Sequence, residues 1–356
     1  MFFYFSTCKG IIFVRPIFLI ERSSSLPKQR VLSGIQPSGR LHIGNLVGAL
    51  QNWVRLQEQY ECYYFIADWH ALTSQYADTS QLKEFVKDVL VNCLAAGLDP
   101  QKATIFAQSR VIEHAELHVL LSMVTPLSWL ERVPTYKEKQ SEVKDKDLNT
   151  YGFLGYPLLQ SADILIYRAD YVPVGVDQVP HIEITREICR RFNNFYGEVF
   201  PEPEGLLTQF PKVAGTDGRK MSKSYNNCIY LSDSPKEVEQ KIRTMTTDPQ
   251  RIRRTDKGDP ELSPVFRLHK IFSTKQEQDE VAEGCRTAGI GCIDCKKILI
   301  KNLLTVLEPI WEKRNYYLQK PDLLEDIIES GSKKAGEVAR DTMLEVRKAI
   351  GLDGLK

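Results

Sequence analysis

Residues 31–67 alternate strand, helix and strand, and that alternation restricts the fold more than any other feature of the chain. Val31 to Ile35 is a short apolar run, and Gln36-Pro37-Ser38-Gly39 breaks it with turn-forming residues. Apolar residues then recur at 43, 46, 47, 50, 53 and 54, the period of a helix with one buried face, and Cys62 to Ala67 is a second apolar run. Strand, crossover helix and strand within about 40 residues form a parallel βαβ unit with a right-handed crossover. The pattern continues with a helix through Leu82, Phe85, Val86, Val89, Leu90 and Cys93, a turn at Gly97 to Pro100, a strand from Thr104 to Ala107 and a helix from about Glu113. A buried helix from Leu158 to Tyr167, a strand from Val172 to Val174 and a helix from about Gln178 to Arg191 follow. The expected class is α/β with a doubly wound parallel sheet. Residues 132–150 are polar and charged and read as a mobile insertion.

Past residue 230 the strand signals fade. Leu299, Leu303, Val306, Leu307 and Ile310 mark one amphipathic helix; Ala335, Val338, Ala339, Thr342, Val346 and Ile350 mark another, expected to be capped by Ser332 and stopped at Gly351. The expected organisation is an N-terminal segment 1–30, an α/β catalytic domain 31–228 and a helical domain 229–356. Residues 1–30 carry five Lys or Arg against one acid, Glu21, with a serine run at 23–25, the balance of an organellar transit peptide. A secretory signal is the competing reading, because Ile11 to Ile20 is apolar except for Arg15 and Pro16; an untargeted extension is the third. No apolar run reaches the roughly 20 residues a membrane span needs. With 47 Lys and Arg against 46 Asp and Glu, contact with an anionic polymer must rest on local patches. The eight cysteines are sparse and irregularly spaced, which favours a reducing compartment over a disulfide framework.

At the first strand-to-helix crossing, Gly34 to Gly39 matches neither the dinucleotide fingerprint, having no G-x-G, nor the P-loop, since Arg40-Leu41 stands where Lys-Ser/Thr is required. His42, Ile43, Gly44 and Asn45 follow, placing an imidazole, a glycine and an amide where phosphates and ribose would lie beside a helix start. Taken alone, this is equally ordinary turn chemistry. A second motif, Lys220-Met221-Ser222-Lys223-Ser224, follows a glycine-bearing loop at 215–218. Two lysines three apart can close over a polyphosphate and neutralise the charge on departing pyrophosphate. A lone basic loop is usually solvated surface; the pair together points to nucleotide chemistry.

In this order on a βαβ framework, the two motifs resemble the HIGH and KMSKS signatures of class I aminoacyl-tRNA synthetases. Within that class the first motif, ending in Asn45, resembles the tryptophanyl-tRNA synthetases. So do Ala67-Asp68-Trp69-His70, the stretch from Tyr156-Pro157 to Ile164-Leu165, and Val172-Pro173-Val174-Gly175-Val176-Asp177-Gln178. The resemblance covers about residue 31 to the C-terminus and, with the transit-like extension, is to the mitochondrial form. It implies a Rossmann-like catalytic domain, a helical anticodon-binding domain, and activation of L-tryptophan by ATP with Mg2+ before transfer to tRNA(Trp). It further implies a homodimer, no protein-bound metal, no membrane attachment, and a place in the mitochondrial matrix.

The implied ATP-binding residues are Gln36, His42, Ile43, Gly44, Asn45, Gly175, Val176, Asp177, Val213, Lys220, Met221, Ser222, Lys223 and Ser224. Lys139, Lys220 and Lys223 are the implied catalytic cations, with Lys137 as fallback for Lys139. Tryptophan binding is implied for Asp163, as acceptor for the indole N-H, and for Tyr156, Gln160, Gln178 and His70, with Leu32 as a further wall. The indole N-H is donor only, so its site needs an acceptor. The family often has Gly-Glu-Asp where this chain has Gly175-Val176-Asp177, which leaves position 176 only its backbone for ATP. Tyr225-Asn226-Asn227 matches a subset of relatives. A tyrosyl-tRNA synthetase and an inactive, synthetase-derived RNA-binding protein are the alternatives.

Residues 241–270 hold eight Lys or Arg against four acids, a local patch suited to tRNA phosphates. Cys285, Cys292 and Cys295 resemble three of the four cysteines that hold an iron-sulfur cluster in some bacterial relatives. Four ligands are needed, and Glu261-Leu262-Ser263 offers no cysteine where the fourth would stand.

Overall fold

The computed structural model describes residues 28–134, 148–207 and 213–354. Lys139, Lys137 and nearly all of the N-terminal segment therefore lie outside the described residues. Five strands form one sheet in the order β3-β2-β1-β4-β5: β1 (Arg30–Ile35), β2 (Glu61–Ile66), β3 (Ala103–Ala107), β4 (Tyr171–Val174) and β5 (Glu204–Leu207). Every pairing is parallel. The chain winds outward from β1 to β3, then returns to the other side of β1 for β4, so the β1/β4 seam is the point where the winding reverses. Sequence periodicity anticipated β1 to β4; β5 was missed because Glu204-Gly205-Leu206-Leu207 is short, largely exposed and glycine-bearing.

Alternate residues of the strands enter two cores, as expected of a parallel sheet covered on both faces. On one face Val31, Ile35, Cys62, Tyr64 and Ile105 meet the first crossover helix and α4 (Leu82–Ala96). The crossover is continuous helix: α1 (Ile43–Asn45), a π-helical turn (Leu46–Leu50) and α2 (Gln51–Leu56). On the other face Leu32, Tyr63, Phe65, Phe106 and Val172 meet α5 (Glu113–Ser122), and, further along, α8 (Tyr156–Ile166) and α9 (Val179–Tyr196). Between them lie α3 (Asp68–Gln75), unanticipated because its Asp-Trp-His start has no helical period, and two short helices, α6 (Leu127–Glu131) and α7 (Tyr151–Leu154). Leu148, inside the stretch expected to be a polar insertion, is buried with Phe153 and Tyr156.

The helical C-terminal part comprises α10 (Pro235–Thr244), α11 (Pro264–Phe272), α12 (Lys275–Arg286), α13 (Cys292–Leu318) and α14 (Pro321–Ala349). It shares the sheet's cores: Leu299, Leu303 and Leu307 join the first, and Ala335, Ala339 and Met343 the second. Buried Arg314 of α13 donates to Asn92 Oδ1 at 2.6 Å and Asp88 Oδ1 at 3.0 Å on α4. The Ser332 cap is overturned. Helix α14 begins at Pro321, so Ser332 is an interior, buried residue; the apolar stripe that marked the helix starts only at Ala335, and the earlier turns bury Leu324 and Ile328 in the first core instead. Gly351 does end it, with φ +77°.

Helix α14 runs along β3, the edge strand. Gly331 makes that approach possible, since a Cβ there would stand 1.8 Å from the carbonyl oxygen of Ile105. Gly331→Ala is therefore expected to force helix and strand apart, costing about 1–3 kcal/mol or more, and Gly331→Val more still. Thermal unfolding of the purified variants checks this; an unchanged melting temperature would show the helix to be loosely docked.

Candidate active site

Open parallel sheets bind ligands beyond the carboxyl ends of their strands where the winding reverses, and the expected residues gather there. Two groups form, one around the β1 loop and one beneath β2 and β3.

The first group is built on Ser38, Gly39 and His42. The segment after β1 is pinned by the segment after the lysine loop: Ile43 N-H donates to Ile229 O at 2.9 Å and Leu231 N-H to Leu41 O at 2.8 Å. Asn45 Oδ1 accepts from His42 N-H at 3.0 Å, fixing the first turn of the helix. Gly44 lies under the His42 ring, 2.8 Å from where a Cβ would be, and beside Val213. Lys223 Nζ donates to Gly39 O at 2.9 Å and Ser38 Oγ at 3.4 Å, so the second motif is folded down onto the first loop. Lys223 is half-buried and forms no ion pair among the described residues, and burial lowers its pKa. Burial, reinforced by Lys223, brings the His42 pKa down from 6.5 to about 4. The imidazole is consequently neutral at pH 7, and its Nδ1 has no partner among the described residues.

The loop around these lysines is held by its own backbone. Met221 N-H donates to Val213 O at 2.9 Å, and Ser222 N-H to Asn227 Oδ1 at 2.8 Å. Asn227 also donates to Asp217 Oδ1 at 2.7 Å and Lys220 O at 3.2 Å. It fits only because Gly215 has no side chain, a Cβ there falling 2.2 Å from the Asn227 amide. Asn227 is thus the organiser of the loop, a role that the sequence, where 225–227 matches only a subset of relatives, did not single out. Lys220 and Ser224 are exposed, whereas Lys223 between them is half-buried.

The second group centres on Asp163 of α8, whose side chain is 1% exposed. His70 Nε2 lies 2.7 Å from Oδ2; His114 Nδ1 and Gln108 Nε2 lie 2.6 and 2.8 Å from Oδ1. Burial alone would raise the Asp163 pKa, but the hydrogen bonds from His114 and His70 override it and hold the carboxyl well below the ordinary range. The acid is ionised, inside the core. Asp68 positions its neighbours, accepting from Ser109 N-H at 3.0 Å and so locking the start of α3, which carries His70, to the end of β3, which carries Gln108. Gln36 Nε2 donates to His70 O at 2.8 Å, joining the two groups. Gln108 and His114 were not singled out from sequence. The available signal was positional: Gln108 directly follows the carboxyl end of β3, and His114 lies in the first turn of the helix after it.

Tyr156, buried, stands 5.6 Å by ring centroid from His181 of α9. Gln160 and Gln178 are half-buried, and Gln178 reaches Asp177 Oδ2 at 3.3 Å. Gly175 closes β4, and Val176 beyond it is 78% exposed, leaving its backbone as the part available to a ligand.

The basic patch is smaller than the sequence count implied. Arg251 is buried, donating to the carbonyls of Arg254 and Ile290; Lys241, Arg243 and Lys270 are paired with acids, and Arg267 caps Gly218 O. Arg253, Arg254 and Lys257 stand exposed on one loop. Cys285, Cys292 and Cys295 line one small cavity with Arg251 and Asp248, about 20 Å³, room for one water-sized body. Burial pushes the Cys295 thiol up to about 12. A cavity this size, lined by three cysteines and a cation, does not fit a four-ligand iron-sulfur cluster. Among the described residues no group of three or more His, Cys, Asp or Glu is placed to hold a metal ion, the seven cysteines are unpaired, and no helix is long and apolar enough to cross a membrane.

The neutrality of His42 is directly measurable. Its ring resonances should titrate with a midpoint near 4, so protonation favours the unfolded chain and stability falls as pH drops from 6.5 towards 4. A midpoint near 6.5 would show the ring to be solvated and distant from Lys223.

Residues 25–308 match the model of the class I tRNA synthetases for tryptophan and tyrosine. The chain is 59% identical over 325 residues to a tryptophan–tRNA ligase of Thermotoga maritima, covering 91% of this chain and 99% of that one. It is 44% identical over 393 residues to the corresponding ligase of Aquifex aeolicus, covering 91% and 100%. Among solved structures, tryptophanyl-tRNA synthetase from Campylobacter jejuni, complexed with ADP and tryptophan, superposes with a TM-score of 0.83 at 38% identity, covering 91% of this chain and all of that one. Its sequence, its reversed parallel sheet and the two loops meeting over β1 therefore agree, and the chain belongs to the class I tRNA synthetase family of the tryptophan and tyrosine enzymes.

Proposed function

We infer that this protein activates L-tryptophan with ATP and transfers it to tRNA(Trp). One observation carries the nucleotide half: Lys223, half-buried with no counter-ion among the described residues, sits over the β1 loop beside a neutral imidazole. A half-buried cation without a counter-ion, beside a helix start, is arranged for an anion, and here a polyphosphate is the anion that fits. The amino-acid half is supported by ionised Asp163, and by relatives up to 59% identical that are tryptophan–tRNA ligases.

In the first step the tryptophan carboxylate attacks the α-phosphorus of ATP, the bond to the β-phosphate oxygen breaks, and pyrophosphate leaves. Neither partner needs a protein nucleophile, so the chain contributes position and charge. Lys223, with Lys220 once the loop turns it inward, takes the growing charge of the leaving group. Lys139 is the third cation of this reading. His42, Gly44, Asn45, Ser222 and the backbone at Gly175 to Asp177 hold the nucleotide; Gln36 faces the α-phosphate. Mg2+ arrives as the ATP complex, its oxygens supplied by the phosphates. In the second step a ribose hydroxyl at the tRNA 3′ end attacks the acyl carbon and AMP departs. Arg253, Arg254 and Lys257 offer phosphate contacts to the tRNA. Apolar side chains exposed on and around α5 and α6, Ile112, Met123 and Leu127 among them, suit a second copy of the chain.

Specificity rests on Asp163. A carboxylate has about four lone-pair sites, and three protein donors leave one for the indole N-H. Tyr156 and Gln178 hold the α-amino group, while Gln160 and His70 flank the ring. Of the twenty amino acids, only tryptophan should drive ATP–pyrophosphate exchange. Asp163→Ala should abolish that exchange while ATP binding, followed by calorimetry, survives; unchanged tryptophan affinity in the variant would overturn the assignment.

The place of action proposed is the mitochondrial matrix. Its support is the basic, acid-poor composition of residues 1–30 alone; the relatives compared are bacterial. A fluorescent fusion of the full chain should enter mitochondria and one starting at Val31 should not. Import of the shortened fusion, or delivery of the full one to the endoplasmic reticulum, would defeat this part and leave the enzymatic reading intact.

A further inference from the structure

The two oxygens of Asp163 are not equivalent. Oδ1 accepts from Gln108 Nε2 at 2.8 Å and from His114 Nδ1 at 2.6 Å, both side chains being wholly buried. Oδ2 has one partner, His70 Nε2 at 2.7 Å, and the His70 side chain is 14% exposed. Behind His114 the chain of contacts continues: its Nε2 lies 2.8 Å from the Tyr167 hydroxyl. Tyr167 is itself wholly buried and held by ring packing, stacked on Tyr63 at 5.0 Å and tilted against Phe106 at 5.4 Å.

We propose that Tyr167 and His114 are positioning residues for amino-acid selection: the Tyr167 hydroxyl fixes the tautomer and orientation of His114, which anchors Oδ1 of Asp163 so that Oδ2 is presented to the indole N-H. The proton placement follows from the partners. An ionised carboxylate only accepts, so His114 Nδ1 carries the hydrogen towards Oδ1. In the ring tautomer with its hydrogen on Nδ1, Nε2 is an acceptor, and the Tyr167 phenol, which burial keeps protonated, donates to it. The same arrangement, in which an outer hydrogen bond selects which imidazole nitrogen is protonated, orients histidines at metal and catalytic centres. Here its effect falls on specificity. With Oδ1 doubly occupied from the core side and Oδ2 holding His70 alone, a side chain lacking a donor leaves the remaining lone pair of Oδ2 unfilled. Discrimination against such a side chain is the consequence.

This inference rests on Asp163 being the indole acceptor, and the experiment separates the two. ATP–pyrophosphate exchange by the full chain is measured with tryptophan and with its benzothiophene analogue, in which sulfur replaces the indole N-H. If Asp163 accepts from the indole, the wild-type protein prefers tryptophan through KM; equal KM values would sink the Asp163 reading itself. Given that preference, Tyr167→Phe, which removes a single oxygen atom, should raise KM for tryptophan by about 3- to 10-fold, the effect of one hydrogen bond. Its kcat, the KM for ATP and the KM for the analogue should stay as they were. His114→Asn, whose amide nitrogen can replace Nδ1 as donor, should keep most of the preference, whereas His114→Phe should lose it. Should His114→Phe fail to fold, Tyr167→Phe and His114→Asn still decide the matter. An equal change for both substrates in Tyr167→Phe, or an unaltered preference in it, would show the network to be structural only and overturn the proposal.

Discussion

Two backbone hydrogen bonds, Ile43 N-H to Ile229 O and Leu231 N-H to Leu41 O, hold the structure's chemistry together. They tie the helix that follows β1 to the segment that follows the lysine loop, although nearly 190 residues separate them in sequence. Asp233, 1% exposed, reinforces the junction by accepting from Arg40, Lys241 and the Tyr230 N-H. With that junction closed, Lys223 can reach only the β1 loop, and the desolvation that lowers the pKa values of both Lys223 and His42 follows from the same closure. A loop free to swing would leave the lysine solvated and the histidine protonatable. Charge would then be offered to water and not to a ligand.

The amino-acid side of the cleft follows the opposite electrostatic plan. One group collects cation and neutral donors without an acid; the other buries an acid among imidazoles and an amide. The link between them includes Gln36 to the backbone of His70 and Ala67 N-H to Ile35 O, so the two pockets are adjacent. Three of the chain's six histidines, at 70, 114 and 118, lie around Asp163. Their abundance there reflects the need to satisfy a buried carboxylate with donors that do not themselves bring a permanent full charge.

How much of this was legible in the sequence depended on range. The β1 and β2 strands, the crossover helix and both loops announce themselves through periodicity and turn chemistry over a few residues, and they lie where expected. Ser332 failed as a cap because the stripe from Ala335, which faces the second core, was taken for the whole helix, when the preceding turns of α14 bury Leu324 and Ile328 in the first. Arg251 counted as surface charge because its true partners, the carbonyls of Arg254 and Ile290, are fixed by tertiary folding. Gln108 and His114 escaped for the same reason: nothing local distinguishes a glutamine at a strand end from a solvated one, and only the packing of the turn after β3 and of α5 against α8 aims both at Asp163. Asn227 was misjudged since its role depends on an empty space at Gly215, which no linear pattern records.

The close docking of α14 on β3 has a consequence for the sheet as a surface. Parallel sheets present two margins with unpaired backbone groups, and either can template another strand. At the β3 margin the helix approaches to within touching distance of the Ile105 carbonyl, leaving no width for an incoming chain. The opposite margin is β5, a four-residue strand with Leu207 62% exposed. Among the described residues sheet extension is thus one-sided: strand addition has the short β5 margin to work with, and its brevity limits how many hydrogen bonds a visitor can form.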